Sequence, residues 1–230
     1  MFALGRMARA AGAFALALGL TGCFDFEQHL VLKGSGGGRL EVKMRTDPSL
    51  KGAFENETLL PAQAQPIEVT REIKDGQYVQ TEKAPFNALS ELRVENEDLT
   101  LTNNGNTLFG VGPKKFTLKR VVASDGENGD AGAVGAAAFQ DRVYVFSATI
   151  PGWIDKAHPL LVGNESVKPT TEGATVKWVI PMSQAIAAGR LEYRVEFFSY
   201  MNVAGTVSAQ RVEGKPARMP FTTKLGSPEN

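Results

Sequence analysis

Leu191-Glu192-Tyr193-Arg194-Val195-Glu196-Phe197 alternates apolar and charged residues without a break. A period of two places Leu191, Tyr193, Val195 and Phe197 on one face of an extended strand and the charges on the other. Such a strand belongs to an antiparallel sheet with one solvated face. The pattern recurs at Phe24 to Lys33 and Arg39 to Arg45, around the glycine-rich Ser35-Gly36-Gly37-Gly38. It returns at 67–73 and 77–81 around Asp75-Gly76, and at Leu99 to Thr102 and Thr107 to Val111 around Asn103-Asn104-Gly105-Asn106. Each of these pairs reads as a hairpin. Phe116 to Val122, Arg142 to Ile150 and Ala174 to Ile180 are further strands. Asp47-Pro48 makes an N-cap and first-turn pair for a short helix carrying Leu50 and Phe54. Phe86 to Leu92 reads as a helical turn with Leu89 and Leu92 inward. Pro181 to Gly189 reads as a short helix capped by Ser183 and stopped by Gly189. The expected fold is β-rich, mainly antiparallel sheet forming a sandwich or partial barrel, with one to three short helices.

The N-terminus is of another kind. Arg6 and Arg9 precede an eleven-residue run, Ala10 to Leu20, made only of Ala, Gly, Phe and Leu. Leu20-Thr21-Gly22-Cys23 closes it with the single cysteine of the chain. A charged start, a short apolar run and small residues before a cut site make a secretory signal, since a membrane span needs about 20 apolar residues. The stretch resembles a bacterial lipoprotein signal of the Leu-x-Gly-Cys kind. That resemblance implies that residues 1–22 are removed and Cys23 is lipidated. Two or three acyl chains there would anchor stably, where one holds only marginally. A lone thiol in an oxidising compartment is otherwise unexplained.

With residues 1–22 removed, 23 basic and 25 acidic residues remain. A near-neutral chain without a clustered basic face argues against nucleic acid. Residues 123–138 hold six alanines and four glycines and no aromatic, which reads as a mobile loop or linker. It either divides lobes 24–122 and 139–212 or forms a long loop within one domain, and a single β-rich domain over 23–212 is the expectation. Residues 213–230 read as a polar tail.

Catalytic signatures are scarce. There is no Gly-x-Ser-x-Gly, His-Glu-x-x-His or Cys-x-x-Cys, so neither a hydrolase elbow nor a zinc site is recognisable. Of the two histidines, His29 falls on the charged face of the first strand and reads as solvated, while His158 precedes Pro159 in a loop. Gly110-Val111-Gly112-Pro113-Lys114 lacks phosphate-loop spacing and reads as turn chemistry. Asp125 to Asp130 lacks the spacing of a calcium loop. The expectation is a protein without enzymatic activity, metal or cofactor, with a carboxylate-based hydrolase as the remote alternative.

Trp153 and Ile154 follow Pro151-Gly152, and Leu160 and Leu161 follow His158-Pro159. Read as loop residues, they line a ligand cavity, touch lipid headgroups or plug one end of the sheet. Ala148 to Ile154, then Ala174 to Pro181 with Trp178, resembles the LppM-like envelope lipoproteins, as does a lipidated cysteine leading straight into a glycine-rich hairpin. The resemblance implies a periplasm-facing or outward-facing β-rich domain, with lipid or glycolipid binding as its role. Two partners are therefore carried forward: an apolar or amphipathic ligand, or an envelope protein bound by a scaffold subunit. The first needs an apolar cavity of roughly 300–1,000 Å³. The second needs a filled core with an exposed patch or free sheet edge.

Overall fold

The computed structural model describes residues 24–108, 111–123, 142–162, 165–188 and 190–212. Two sheets carry the fold. In the first, β1 (Asp25–Leu32) pairs antiparallel with β2 (Gly38–Thr46), and β2 with β4 (Gln77–Phe86), whose outer neighbour is β3 (Glu68–Lys74). On its other side β1 runs parallel to β8 (Val143–Thr149), followed by β13 (Thr175–Pro181) and β12 (Thr170–Glu172). The second sheet has the order β15 (Thr206–Ser208), β6 (Glu97–Leu108), β7 (Val111–Ala123), β14 (Arg190–Ser199), β9 (Trp153–Ala157). Two short pairs complete it, β10 (Leu160–Val162) with β11 (Glu165–Val167) and β5 (Arg93–Glu95) with β16 (Gln210–Val212).

The alternating residues decide how the sheets meet. Leu30, Leu40, Val42, Phe146, Ala148, Val176, Trp178 and Ile180 from the first sheet are buried with Leu101, Phe116, Leu118, Leu191, Tyr193, Val195 and Phe197 from the second. Tyr193 crosses the interface, its ring 4.8 Å from Phe146 and 5.4 Å from Trp178. Trp178 is buried in full, and its indole N–H is satisfied by the His158 carbonyl at 3.0 Å. The architecture is a β-sandwich of one mixed and one antiparallel sheet. Segments before and after residues 124–141 share one core and one sheet, and those residues, like Cys23 and 213–230, lie outside the described part.

Asp47 caps the chain as its position suggests, accepting from the Ser49 amide at 2.8 Å ahead of a 3-10 turn at Pro48–Leu50 and α1 (Lys51–Phe54). Phe54 joins Phe24, Met44, Tyr78 and Met182 in a second, smaller core. The chain after α1 lies over the inner side of β4. Glu82, fully buried, accepts from the Leu59 and Leu60 backbone amides, both at 2.9 Å, and from the Gln80 side-chain Nε2 at 2.8 Å. A carboxylate inside a sheet face is tolerable because three donors converge on it.

Some expectations are corrected. Asn103 to Asn106 is no hairpin turn: β6 runs through it to Leu108 with shifted register. The Asn103 carboxamide oxygen accepts from the Gly105 amide at 2.9 Å, and Gly105 has φ +89°. The local side-chain bond thus makes a bulge inside a strand. Trp153-Ile154 and Leu160-Leu161 are strand residues: β9 adds to the edge of the second sheet beside β14, and β10 pairs with β11. The turn at Phe86 to Leu92 narrows to Leu89–Glu91, Phe86 ending β4, though Leu89 and Leu92 are buried as expected. Ser183 lies within α2 (Met182–Ala187), whose N-cap is Pro181, without a side-chain cap bond.

Candidate functional site

Trp153 and Phe198 are neighbours across β9 and β14, with ring centroids 5.6 Å apart. Both project from the outer face of the second sheet, and Trp153 is 49% exposed while Tyr200, just beyond β14, is 76% exposed. The Lys115 ammonium stands 5.9 Å from the centre of the Phe198 ring. It also pairs with Asp155 at 2.9 Å and Glu196 at 2.8 Å. A bulge between Glu196 and Phe197 re-aims β9 at this point. Glu196 collects more donors: Arg194 at 2.9 Å and His158 Nε2 at 3.0 Å. Hydrogen bonds from Lys115 and then His158 hold the Glu196 carboxyl at about 2, while Glu196 and Asp155 raise Lys115 above the usual ammonium range. The result is an aromatic platform bordered by a fixed ionic network.

The four residues singled out from sequence are not brought together. Trp153 faces out; Ile154 faces in, packed against the main core. Leu160 is core, 1% exposed, and Leu161 beside it is 71% exposed on β10. β9 and the His158-Pro159 step separate Leu161 from Trp153. Phe198, Tyr200 and Lys115 were missed. Phe198 breaks the alternation Glu192, Arg194, Glu196 on the solvated side of its strand, and that is the signal that marks it.

A second polar feature is interior. Arg120 on β7 is buried, and its Nε donates to Glu97 on β6 at 2.6 Å. Its second nitrogen reaches Glu97 and the Gln28 carboxamide oxygen on β1, which also accepts from the Tyr144 hydroxyl at 2.9 Å. The guanidinium lies 4.4 Å over Phe146 and 5.5 Å from the Tyr193 ring centre. Burial opposes its charge, but Glu97 more than restores it and raises the Arg120 pKa. Burial likewise pushes the Tyr193 and Tyr144 phenols up. Its signal in the sequence was also a broken alternation: Phe116, Leu118, Arg120 on one strand, Glu97, Leu99, Leu101 on the other. Enclosed between sheets, this group fixes their register rather than meeting solutes.

The histidines lie apart, His29 on β1 of the first sheet and His158 in the short connection after β9, as its place before Pro159 suggests. His29 is half-buried, not freely solvated: its Nε2 is 2.8 Å from the Thr149 hydroxyl, itself 2.8 Å from Thr175. Desolvation lowers its pKa. Among the described residues no group of three His, Cys, Asp or Glu could hold a metal. Among the same residues no helix is long and apolar enough to cross a membrane. Two half-open recesses lie on the surface of the described residues, one of about 350 Å³ beside Lys119, Arg190 and Ser208 and one of about 230 Å³ beside Gly36, Leu89 and Val203.

No family model matches the chain, and no curated protein matches it in sequence. Nine solved chains match it in structure. One is the NMR structure of the folded domain of Mycobacterium tuberculosis LppM. It is 11% identical, with a TM-score of 0.45, over 79% of this chain and 92% of that one.

Proposed function

We propose that this is a lipid-anchored, non-enzymatic envelope protein, tethered through Cys23, which works as a scaffold by binding a partner envelope protein at its surface. The observation that carries the reading is the contrast between a filled interior and an exposed aromatic platform. Trp178, Tyr193, Phe146, Phe116 and Phe197 occupy the space between the sheets, each no more than 2% exposed. Trp153, Phe198 and Tyr200 lie outside it, with Lys115 alongside. Exposed Trp and Tyr next to cations are the residue types that anchor protein interfaces. Phe24 is packed in the smaller core directly after Cys23, so a lipid there would hold the domain against the bilayer and concentrate it near membrane proteins.

A glycolipid headgroup is the second reading, favoured by the half-exposed indole of Trp153, a flat apolar surface of the kind sugar rings stack on. A photo-crosslinking amino acid at 153 or 200 of the full chain, activated in intact cells, separates the two. A discrete protein adduct at both positions supports the scaffold. No protein adduct, together with a lipid-sized mass co-purifying by native mass spectrometry, overturns it in favour of the headgroup.

A further inference from the structure

The covering segment after α1 stops one strand short of the edge of the first sheet. The Glu57 carbonyl accepts from the Gln80 side chain at 2.9 Å and from the Arg71 side chain at 3.1 Å, and β3 is the outermost strand on that side of the sheet. All seven residues of β3, Glu68-Val69-Thr70-Arg71-Glu72-Ile73-Lys74, are exposed. Val69 and Ile73 pair with Glu82 and Tyr78, so they lie on the inner face, at 37% and 55% exposure. Long, exposed edge strands with apolar residues are templates for strand addition.

The hairpin geometry tells which backbone groups are free. Asp75 and Gly76, φ 51° and 75°, form a two-residue turn closed by Lys74 and Gln77. That turn makes Lys74 and Gln77 a hydrogen-bonded pair. Alternate residues then point the same way: Glu68, Thr70, Glu72 and Lys74 bond toward β4, while Val69, Arg71 and Ile73 aim their N–H and C=O groups outward.

We propose that β3 pairs antiparallel with β3 of a second copy of this chain, about a two-fold axis at Arg71, joining the two seven-stranded sheets. The occupant is specified by the strand's own sequence. About Arg71, Val69 meets Ile73 of the second copy and Ile73 meets its Val69, on the inner face. On the outer face Glu68 meets Lys74 and Lys74 meets Glu68. Residues paired across a two-fold normal to the sheet must share a face, so the pairing shifts only in steps of two residues, each moving the axis by one residue. Centred on Thr70 it sets Glu68 against Glu72; centred on Glu72 it sets that residue against itself. Centred on Ile73 it sets Glu72 against Lys74 but leaves Val69 without a partner on the strand; the Arg71 register alone combines attractive Glu68–Lys74 pairs with two Val69–Ile73 pairs. It also pairs the three residues whose backbone groups are free, for about six hydrogen bonds. Its one like-charged pair is Arg71 with itself, and that side chain is drawn back onto the Glu57 carbonyl.

The dimer and the tether agree. Asp25 shares a row with Glu72, through Arg45 and Val79. Phe24 therefore starts each copy about 7 Å along the strand direction from the axis row. Both starts reach one bilayer when the joined sheet lies along it. An interface of one strand is small and belongs to the micromolar class.

The test is sedimentation velocity on the full chain in detergent, for the parent, E68K, K74E and E68K/K74E. Between copies each single change converts two attractive pairs into two repulsive ones; E68K also removes the exposed Glu68–Lys83 pair within the chain at 3.5 Å, whereas K74E does not, so K74E is the cleaner single variant. Dimerisation should weaken about tenfold in each, and the double variant should recover it, which loss of folding could not mimic. In the same register R71C places two cysteines about 5.5 Å apart between Cα atoms, within disulfide reach. Mild oxidation of membranes should therefore crosslink R71C, and not T171C on β12 at the opposite edge. A chain that stays monomeric at about 100 μM, far above the micromolar range expected for so small an interface, overturns the proposal. So does a dimer indifferent to the charge changes, or R71C no more crosslinked than T171C.

Discussion

Replacing Glu97 by leucine should cost this fold about 3–5 kcal/mol, although it removes one carboxylate and adds an apolar side chain. The reasoning starts from burial: the Arg120 side chain is 4% exposed and that of Glu97 8%. In the parent the guanidinium has a carboxylate and the Gln28 oxygen as acceptors, with the Phe146 ring beneath it. E97L leaves the cation in place with one neutral acceptor and no route to water. Its Nη1 is already without a partner, so the lost bonds are not recovered locally. In a domain of this size each kcal/mol moves the midpoint by about 2–4 °C, so E97L should melt roughly 10 °C or more below the parent. R120M/E97L removes both charges and keeps the volume; it should lie within about 1–2 kcal/mol of the parent, on either side. Urea unfolding followed by tryptophan fluorescence, to which buried Trp178 and exposed Trp153 both contribute, and by far-ultraviolet circular dichroism gives the four corners of the cycle. The account is refuted if E97L costs under about 1 kcal/mol, or if the double variant is as unstable as the two single costs added together.

Gly38→Ala should destabilise by more than the usual surface substitution, because its Cβ would lie 2.0 Å from the Val31 carbonyl oxygen in a paired strand; thermal melting checks it. His29 has a lowered folded pKa, so the unfolded chain binds the proton more readily. Stability should be full above the ordinary histidine value of 6.5 and fall as pH drops below it toward the lowered folded value; H29Q should flatten that slope between pH 7 and 5 in melting curves. Glu196, held at about 2, contributes stability above its unfolded pKa that is lost as pH falls toward 2. NMR titration should show K115M moving that carboxyl upward toward the ordinary range, and an unchanged midpoint would contradict the Lys115 hydrogen bond as its cause.

Which residues face the core was legible wherever one side of a strand is wet. Leu191 to Phe197, Val176 to Ile180 and Leu40 to Met44 are buried on the face their alternation assigns. Asp47-Pro48 was legible because a cap acts over two residues. Pairing was less so. Nothing local in Phe26 to Val31 says that it lies parallel to Tyr144 to Thr149, since that choice is made by a core assembled from both halves. Asn103 to Asn106 carries turn residues, yet the strand continues, because its turn chemistry is satisfied within a bulge. The Trp153 platform hid for a related reason: Trp153 was read by its Pro-Gly neighbour, while its environment is set by Phe198, 45 positions later.

The parallel pairing of β1 with β8 joins Phe26 to Tyr144 across 118 positions of chain. The β1–β2 hairpin closes within the first strands to be made, but the other edge of β1 waits for a segment synthesised much later. Until then a strand bearing Leu30 and Leu32 presents an open ladder and an uncovered apolar side. Assembly is thereby committed to a slow, non-local step, and the nascent chain is most prone to aggregation in the interval before β8 arrives. The order of synthesis and the order of strands in the sheet oppose one another at the very strand that begins the fold.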